Sequence, residues 1–101
     1  MPVSLGGLGL PLPEAVRLQE RLAYADASFG WTVTLCSGAN WFIGFLDKQC
    51  ASSFFSDQRV CLAGSGAASG KATVTDNSYV VNGYWKYATG ALHATAFTAN
   101  C

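Results

Sequence analysis

An α+β fold, with helices first and strands after, is what this chain of 101 residues predicts. Three observations carry the prediction. Apolar residues recur at helical spacing through the first half, short β-prone runs separated by Gly, Ser and Asp-Asn signals begin at Arg59, and only about four such runs precede Cys101. The expected architecture is an N-terminal helical part over residues 1–57, followed by an incomplete antiparallel β-barrel or sheet over residues 58–101.

The elements follow in order. Gly6-Gly7-Leu8-Gly9-Leu10-Pro11-Leu12-Pro13 is a loop rich in breakers, and Pro13 at a first helical position followed by Glu14 starts a helix. Ala15, Leu18, Leu22 and Ala25 then recur on one face, with Glu14, Arg17, Glu20 and Arg21 on the others, the pattern of an amphipathic surface helix. Asp26 is placed to cap a second helix over residues 27–37, apolar nearly all round and therefore expected to be buried on most sides. Gly38-Ala39-Asn40 reads as one helix ending and another being capped, so a separate short helix is expected over residues 41–46, and Ser52 or Ser53 is expected to cap a further turn before Asp57. Strands are expected over residues 60–63, 72–75, 79–87 and 94–99, with Asp76-Asn77-Ser78 as a tight hairpin connection. Alternation along the third strand sets Tyr84 on the face opposite Trp85 and Tyr87.

Composition restricts what the chain can do. Half of the residues are apolar and 12% are charged, against about 25% in an ordinary domain. So few charges cannot cover a whole surface, which implies that part of the apolar surface is hidden by more polypeptide, another subunit or a cofactor. Net charge is zero and the six basic residues form no run, which excludes an electrostatic footprint for nucleic acid. Residues 27–46 carry no charge, yet Ser, Gly, Thr and Asn interrupt them, so two buried helices are expected there and not a membrane span. Residues 1–5 do not read as a signal peptide, and a cytoplasmic location is the default. The spacings of Cys36, Cys50, Cys61 and Cys101 fit neither a zinc site nor a disulfide framework, and free buried thiols are expected.

Residues 64–72, Gly64-Ser65-Gly66-Ala67-Ala68-Ser69-Gly70-Lys71-Ala72, resemble two phosphate-binding loops and match neither. A P-loop needs glycine at Ser65 and a hydroxyl at Ala72; a dinucleotide fingerprint needs Gly or Ala at Ser69 and a helix where a strand is expected. His93 is the single histidine, which rules out a two-histidine metal site, and no metal is expected. A structural, hydrogen-bonded role is the first reading of His93, with proton transfer as the alternative. Asp26, Asp47, Asp57 and Asp76 sit where caps and turns account for them. Tyr84, Trp85 and Tyr87 either line a flat aromatic ligand or fill the sheet core.

Taken in order, these segments resemble the acyl-CoA dehydrogenase superfamily of flavoproteins. Gly6-Gly7-Leu8-Gly9 followed by Glu20-Arg21-Leu22-Ala23-Tyr24-Ala25-Asp26-Ala27-Ser28 is similar to that family's GG-x-G loop and E-x-L-A-x-x-D-x-S helix junction. Gly66-Ala67-Ala68-Ser69 is similar to the G-A-G-S part of its F-x-L-T-E-P-G-A-G-S-D segment, with Ala63, Gly64, Ser65 and Gly70 replacing Thr, Glu, Pro and Asp. Residues 82–90 resemble its N-G-T-K-x-W-I-T-N-G strand and turn, with Tyr87 at the tryptophan position, Thr89 keeping the hydroxyl and one residue fewer before Gly90. Together with His93-Ala94 they look closer still to the branch of flavin-dependent aromatic hydroxylases, whose pattern is near G-x-W-x-F-[AS]-[ST]-G-x-x-H-A.

The resemblance implies a fragment of a three-part fold: a helical domain, a middle β-barrel that begins here, and a C-terminal helical bundle that this sequence lacks. It implies FAD, or FMN in the hydroxylase branch, and a homo-oligomeric complete enzyme. In the dehydrogenase branch a C-terminal glutamate and the flavin oxidise the CH–CH group of an acyl-CoA thioester. In the hydroxylase branch the chain belongs to the oxygenase component of a two-component monooxygenase, which takes reduced flavin from a partner reductase and acts on an aromatic substrate. By position, Val60, Cys61, Leu62, Ala63 and Ser69 are expected to line the flavin with backbone and hydroxyl groups, and Tyr87, Ala88 and Thr89 to pack against its ring; His93 is a candidate catalytic residue. The requirements of a flavin, namely close backbone approach, a donor near its reactive nitrogen and an apolar wall, suit such residues. A non-catalytic piece that pairs with another chain through its open edge and apolar helix is the competing expectation.

Overall fold

The computed structural model describes residues 1–57 and 59–101; the expected domain boundary at 57/58 meets Gln58, which lies outside the described residues. A short 3₁₀ turn, Val3–Leu5, leads through the glycine-rich loop into α1, Leu12–Ala25. Pro13 stands second in this helix, with Glu14 in the first turn where the helix dipole favours a carboxylate. Asp26 ends α1 and caps α2, Ala27–Ile43, its carboxylate accepting from the Phe29 amide at 2.7 Å. The two helices cross closely at Gly30: a Cβ there would overlap the backbone of Ala23.

Helix α2 runs unbroken through Gly38, where two helices were expected. A mid-helix glycine costs about 1 kcal/mol relative to alanine, and Ala39 and Ile43 beyond it are buried in the core, so packing outweighs propensity. The helix ends instead with three tightened bonds, Gly44, Phe45 and Leu46 amides to the Trp41, Phe42 and Ile43 carbonyls. Helix α3, Lys48–Phe54, is capped by Asp47, which accepts from the Gln49 and Cys50 amides at 2.9 and 3.1 Å. Ser52 and Ser53 were the expected caps; Ser53 lies inside the helix and its hydroxyl donates back to the Cys50 carbonyl. Beyond it Arg59 pairs with Asp57 at 2.9 Å, and the guanidinium holds the exposed Asp57 carboxyl below its ordinary range.

Four strands follow: β1 Leu62–Ser65, β2 Gly70–Val74, β3 Tyr79–Gly83 and β4 Ala96–Ala99. Strands β2 and β3 form the expected antiparallel hairpin, closed where the Thr75 amide and hydroxyl both donate to the Ser78 carbonyl at 2.9 Å. Strands β1 and β4 pair in parallel, from Leu62 opposite Ala96 to Ser65 opposite Ala99, which corrects the expectation of antiparallel pairing throughout. The intervening residues carry a whole hairpin, long enough to bring the chain back in the same direction. The result is two separate two-stranded sheets within an α+β chain, not a closed barrel.

The third strand stops four residues short of the expected end at 87. Trp85 lies across the Gly70 and Gly83 pair, where a Cβ on either glycine would collide with the indole, and its Nε1 donates to the Asn100 carbonyl at 2.8 Å. Tyr84 leaves the ladder and gives its carbonyl to the Ser69 hydroxyl at 2.9 Å. The alternation that was to set Tyr84 against Trp85 and Tyr87 therefore does not apply; Trp85 is half-buried and both tyrosines are exposed.

Ala39, Ile43, Ala51 and Leu62 form the core, joined by Leu5, Phe54, Phe55, Val60 and Ala96 at its margin. Helix α2 is not buried on most sides: only Gly30, Ala39 and Ile43 are buried, while Phe29, Trp31, Trp41 and Phe42 are more than half exposed. A folded monomer of 10.6 kDa is expected to expose about 5,500 Å², and this chain exposes 7813 Å². Its radius of gyration of 14.9 Å likewise exceeds the roughly 13 Å of a compact domain of this length. Both figures mean that this chain buries less of its surface than a compact domain of its length. No helix is long and apolar enough to cross a membrane among the described residues.

Candidate functional site

The predicted cofactor residues fall into two clusters and one outlier. Val60 and Cys61 lead into β1 and are half-buried; Leu62 and Ala63 are each 1% exposed. Leu62 is committed to the core, so β1 can offer a ligand backbone groups but no side chain from these two positions. Thr95 holds the start of the strand: its hydroxyl accepts from the Cys61 amide at 3.0 Å, and its own amide donates to the Cys61 carbonyl at 2.8 Å. No sequence signal singled out Thr95, because its partner is 34 residues away.

Tyr87, Ala88 and Thr89 lie in the loop after β3. Tyr87 has φ 59°, the left-handed region that bulky residues rarely occupy, and the residue is 92% exposed. The Thr89 amide turns back to the Tyr87 carbonyl at 2.9 Å, a tight three-residue turn that leaves Ala88 and Thr89 half-buried. Gly90 follows with φ +83°; a Cβ there would stand 2.5 Å from Cys36 Sγ and 3.8 Å from Ala63 Cβ. This close approach seats the loop between α2 and β1. Cys36 adds a long contact, its thiol donating to the Thr89 carbonyl at 4.0 Å. The Thr89 amide and carbonyl are thus engaged internally, while its hydroxyl takes no part in the hydrogen bonds among the described residues.

Ser69 is the outlier. It is exposed and tied by its hydroxyl to the Tyr84 carbonyl, so it stands on the hairpin side, joined to the loop three residues before Tyr87. His93 is exposed at the end of the turn that begins at Gly90, its amide donating to the Gly90 carbonyl at 2.9 Å. No cluster of three or more His, Cys, Asp or Glu side chains suited to a metal occurs among the described residues.

Gly90 brings the Tyr87 loop against β1 at Ala63, with the small residues Ala88 and Thr89 half-buried in the loop and Tyr87 exposed on it. Such a surface fits a planar, apolar-faced cofactor with a polar edge. A cleft lies elsewhere. A hollow of about 560 Å³ runs between α2 and the ends of β1 and β4, lined by Leu35, Trp41, Phe42, Ser65, Thr98 and Asn100 among others, and by none of the predicted cofactor residues. Gly64 lies in β1, where a Cβ would collide with Thr98, and glycine within a strand is the signal for such an approach. We give the Tyr87 wall precedence, since the cleft presents no titratable side chain and its volume follows from the exposed flank of α2.

No family profile matches the chain, and no solved structure matches it. Among curated proteins, a pigment production hydroxylase of a Rhodococcus species is 30% identical over 98 residues, which cover 96% of this chain and 25% of the relative. The oxygenase subunit HsaA of a flavin-dependent monooxygenase from Mycobacterium tuberculosis is 28% identical over 95 residues, 93% of this chain and 24% of the relative. The oxygenase component of an FADH(2)-dependent resorcinol hydroxylase from a Rhizobium species is 29% identical over 94 residues, 92% of this chain and 23% of the relative. The chain spans about a quarter of the length of these curated relatives. Of the two branches that the sequence resembles, the hydroxylase branch is the one these relatives represent, and the chain is accordingly similar to oxygenase components of flavin-dependent monooxygenases.

Proposed function

We propose that this chain forms the flavin-facing part of the oxygenase component of a two-component flavin-dependent monooxygenase, acting in the complete enzyme on an aromatic substrate. The observation that carries the reading is the likeness to such components along nearly the whole chain, together with the loop that seats Tyr87, Ala88 and Thr89 beside β1. The acyl-CoA dehydrogenase reading draws on the same motifs and has less behind it. The division at residues 57 and 58 into a helical part and the start of a β domain, the homo-oligomeric state and the reductase partner belong to the same proposal.

When bound, reduced flavin supplies the reaction with molecular oxygen, and the chain's residues bind and orient it. The backbone from Val60 through Ala63 faces the polar edge, Thr89 offers its unengaged hydroxyl as a donor, and Tyr87 and Ala88 cover the ring and exclude water. Ser69 supports the wall indirectly by fixing Tyr84. His93, exposed at the loop's far end, is the proton carrier if one is drawn from this chain.

The test is anaerobic titration of the 101-residue chain with reduced FAD and reduced FMN, followed by tyrosine and tryptophan fluorescence quenching. Binding of either flavin is expected, weakened about fivefold by Thr89→Val through loss of one hydrogen bond of about 1 kcal/mol. Failure to bind either flavin, or an affinity indifferent to Thr89→Val, overturns the site. In the first case the non-catalytic reading, a piece that pairs with another chain through α2, takes its place.

A further inference from the structure

We propose that Cys36 and Cys61 form a dithiol that closes to a disulfide between α2 and β1 when the protein meets a hydroperoxide, a modification site beside the Tyr87 loop. The four cysteines are all free, and they divide by environment: Cys50 and Cys101 are exposed, Cys36 and Cys61 half-buried. The half-buried pair is brought together from residues 25 positions apart. Cys36 lies on the side of α2 that meets Gly90, where its Sγ and the Cβ of Ala63 flank the same point. Cys61, two residues before Ala63, shares a face of the extended chain with it. The Cys61 thiol lies near enough to Cys36 to help raise its pKa. The alternative acceptor, the Thr89 carbonyl at 4.0 Å, lies at the outer limit for sulfur and leaves the Cys36 thiol free to turn toward Cys61.

The chemistry balances with the hydroperoxide as two-electron oxidant. The Cys61 thiolate attacks the O–O bond, which breaks to leave a sulfenic acid on Cys61 and release water, or an alcohol from an organic peroxide. The Cys36 sulfur then attacks the sulfenic sulfur; the S–S bond forms, the S–O bond breaks and a second water leaves with the remaining thiol proton. Burial pushes the Cys36 thiol up, which suits it to the second, resolving role. Closure would staple α2 to the start of β1 and fix the seat on which Thr89 and Gly90 rest.

This inference does not depend on flavin binding and is tested without it. The chain is treated with hydrogen peroxide, remaining thiols are alkylated, and peptides are mapped by mass spectrometry without reduction, in parallel on native and denaturant-unfolded protein. The expected result is loss of two hydrogens per chain, with the Cys36 to Cys61 linkage dominant in the native sample, alkylated Cys50 and Cys101, and reversal by dithiothreitol. Cys50→Ser and Cys101→Ser should leave the linkage intact and Cys61→Ser should abolish it. The same distribution of pairings in native and unfolded samples, dominant pairing through Cys50 or Cys101, or no intramolecular linkage, each overturns the proposal.

Discussion

Replacing Gly90 with alanine tests how the Tyr87 loop is held. Two costs follow from the geometry. At φ +83° an L-residue pays about 1–2 kcal/mol for the left-handed conformation, and the new methyl would stand 2.5 Å from Cys36 Sγ, well inside contact distance. Ala63 and Thr32, at 3.8 and 3.9 Å, are ordinary neighbours and add nothing. Cys36 can relieve part of the overlap by rotating its thiol, so the expected total is about 2–3 kcal/mol, within the usual range for overpacking. For a chain of this size that corresponds to a fall in Tm of roughly 8–24 °C. Urea and thermal melts followed by far-ultraviolet circular dichroism measure it. In a Cys36→Ala background the overlap disappears, and Gly90→Ala should cost only the backbone share of about 1–2 kcal/mol. An unchanged Tm for Gly90→Ala, or equal penalties in both backgrounds, would refute the seating of the loop against α2.

Asp26→Ala removes the cap of α2 and should lower stability by about 1 kcal/mol, with Asp26→Asn retaining most of it; equal melting of all three proteins would speak against the cap. Trp85→Phe keeps the ring over Gly70 and Gly83 but deletes the indole donor to Asn100, and a loss of about 1 kcal/mol is expected from denaturant titration. The pH dependence follows from Cys36, whose thiol burial and the neighbouring Cys61 raise above the ordinary 9.0. The unfolded thiol ionises first, so its contribution is fully present below pH 9.0 and is lost as pH rises through the higher folded value. Stability measured across that window should decline less steeply for Cys36→Ser, and parallel profiles would dismiss the assignment.

Local chemistry wrote much of this structure into the sequence. Pro13 and Glu14 mark the first helix, Asp26 the junction with the second, and Asp76-Asn77-Ser78 the hairpin, because caps and turns are satisfied by atoms a few residues apart. Where the reading failed, distant residues intervened. Gly38 did not end its helix because Ala39 and Ile43 pack on Leu62, and residues 84–87 did not extend their strand because Trp85 folds over two glycines. The candidate site divides in the same way. Tyr87, Ala88, Thr89 and the run from Val60 to Ala63 were legible as motif positions, whereas the contacts that seat them, Cys36 and Ala63 on either side of Gly90 and Thr95 on Cys61, join segments tens of residues apart.

The sequence by itself determined the α+β order, the helix boundaries set by proline and aspartate, the shortage of charge and the likeness to flavin-dependent oxygenase components. Each is a property of composition or of neighbours along the chain. Only the tertiary structure decided that β1 and β4 run parallel, that α2 leaves its aromatic residues largely uncovered, and that Cys36 of α2 and Ala63 of β1 flank Gly90. Those features depend on which surfaces come together after the long connections close. Pairing direction and burial are settled by the packing of side chains remote in sequence, and no local pattern encodes them.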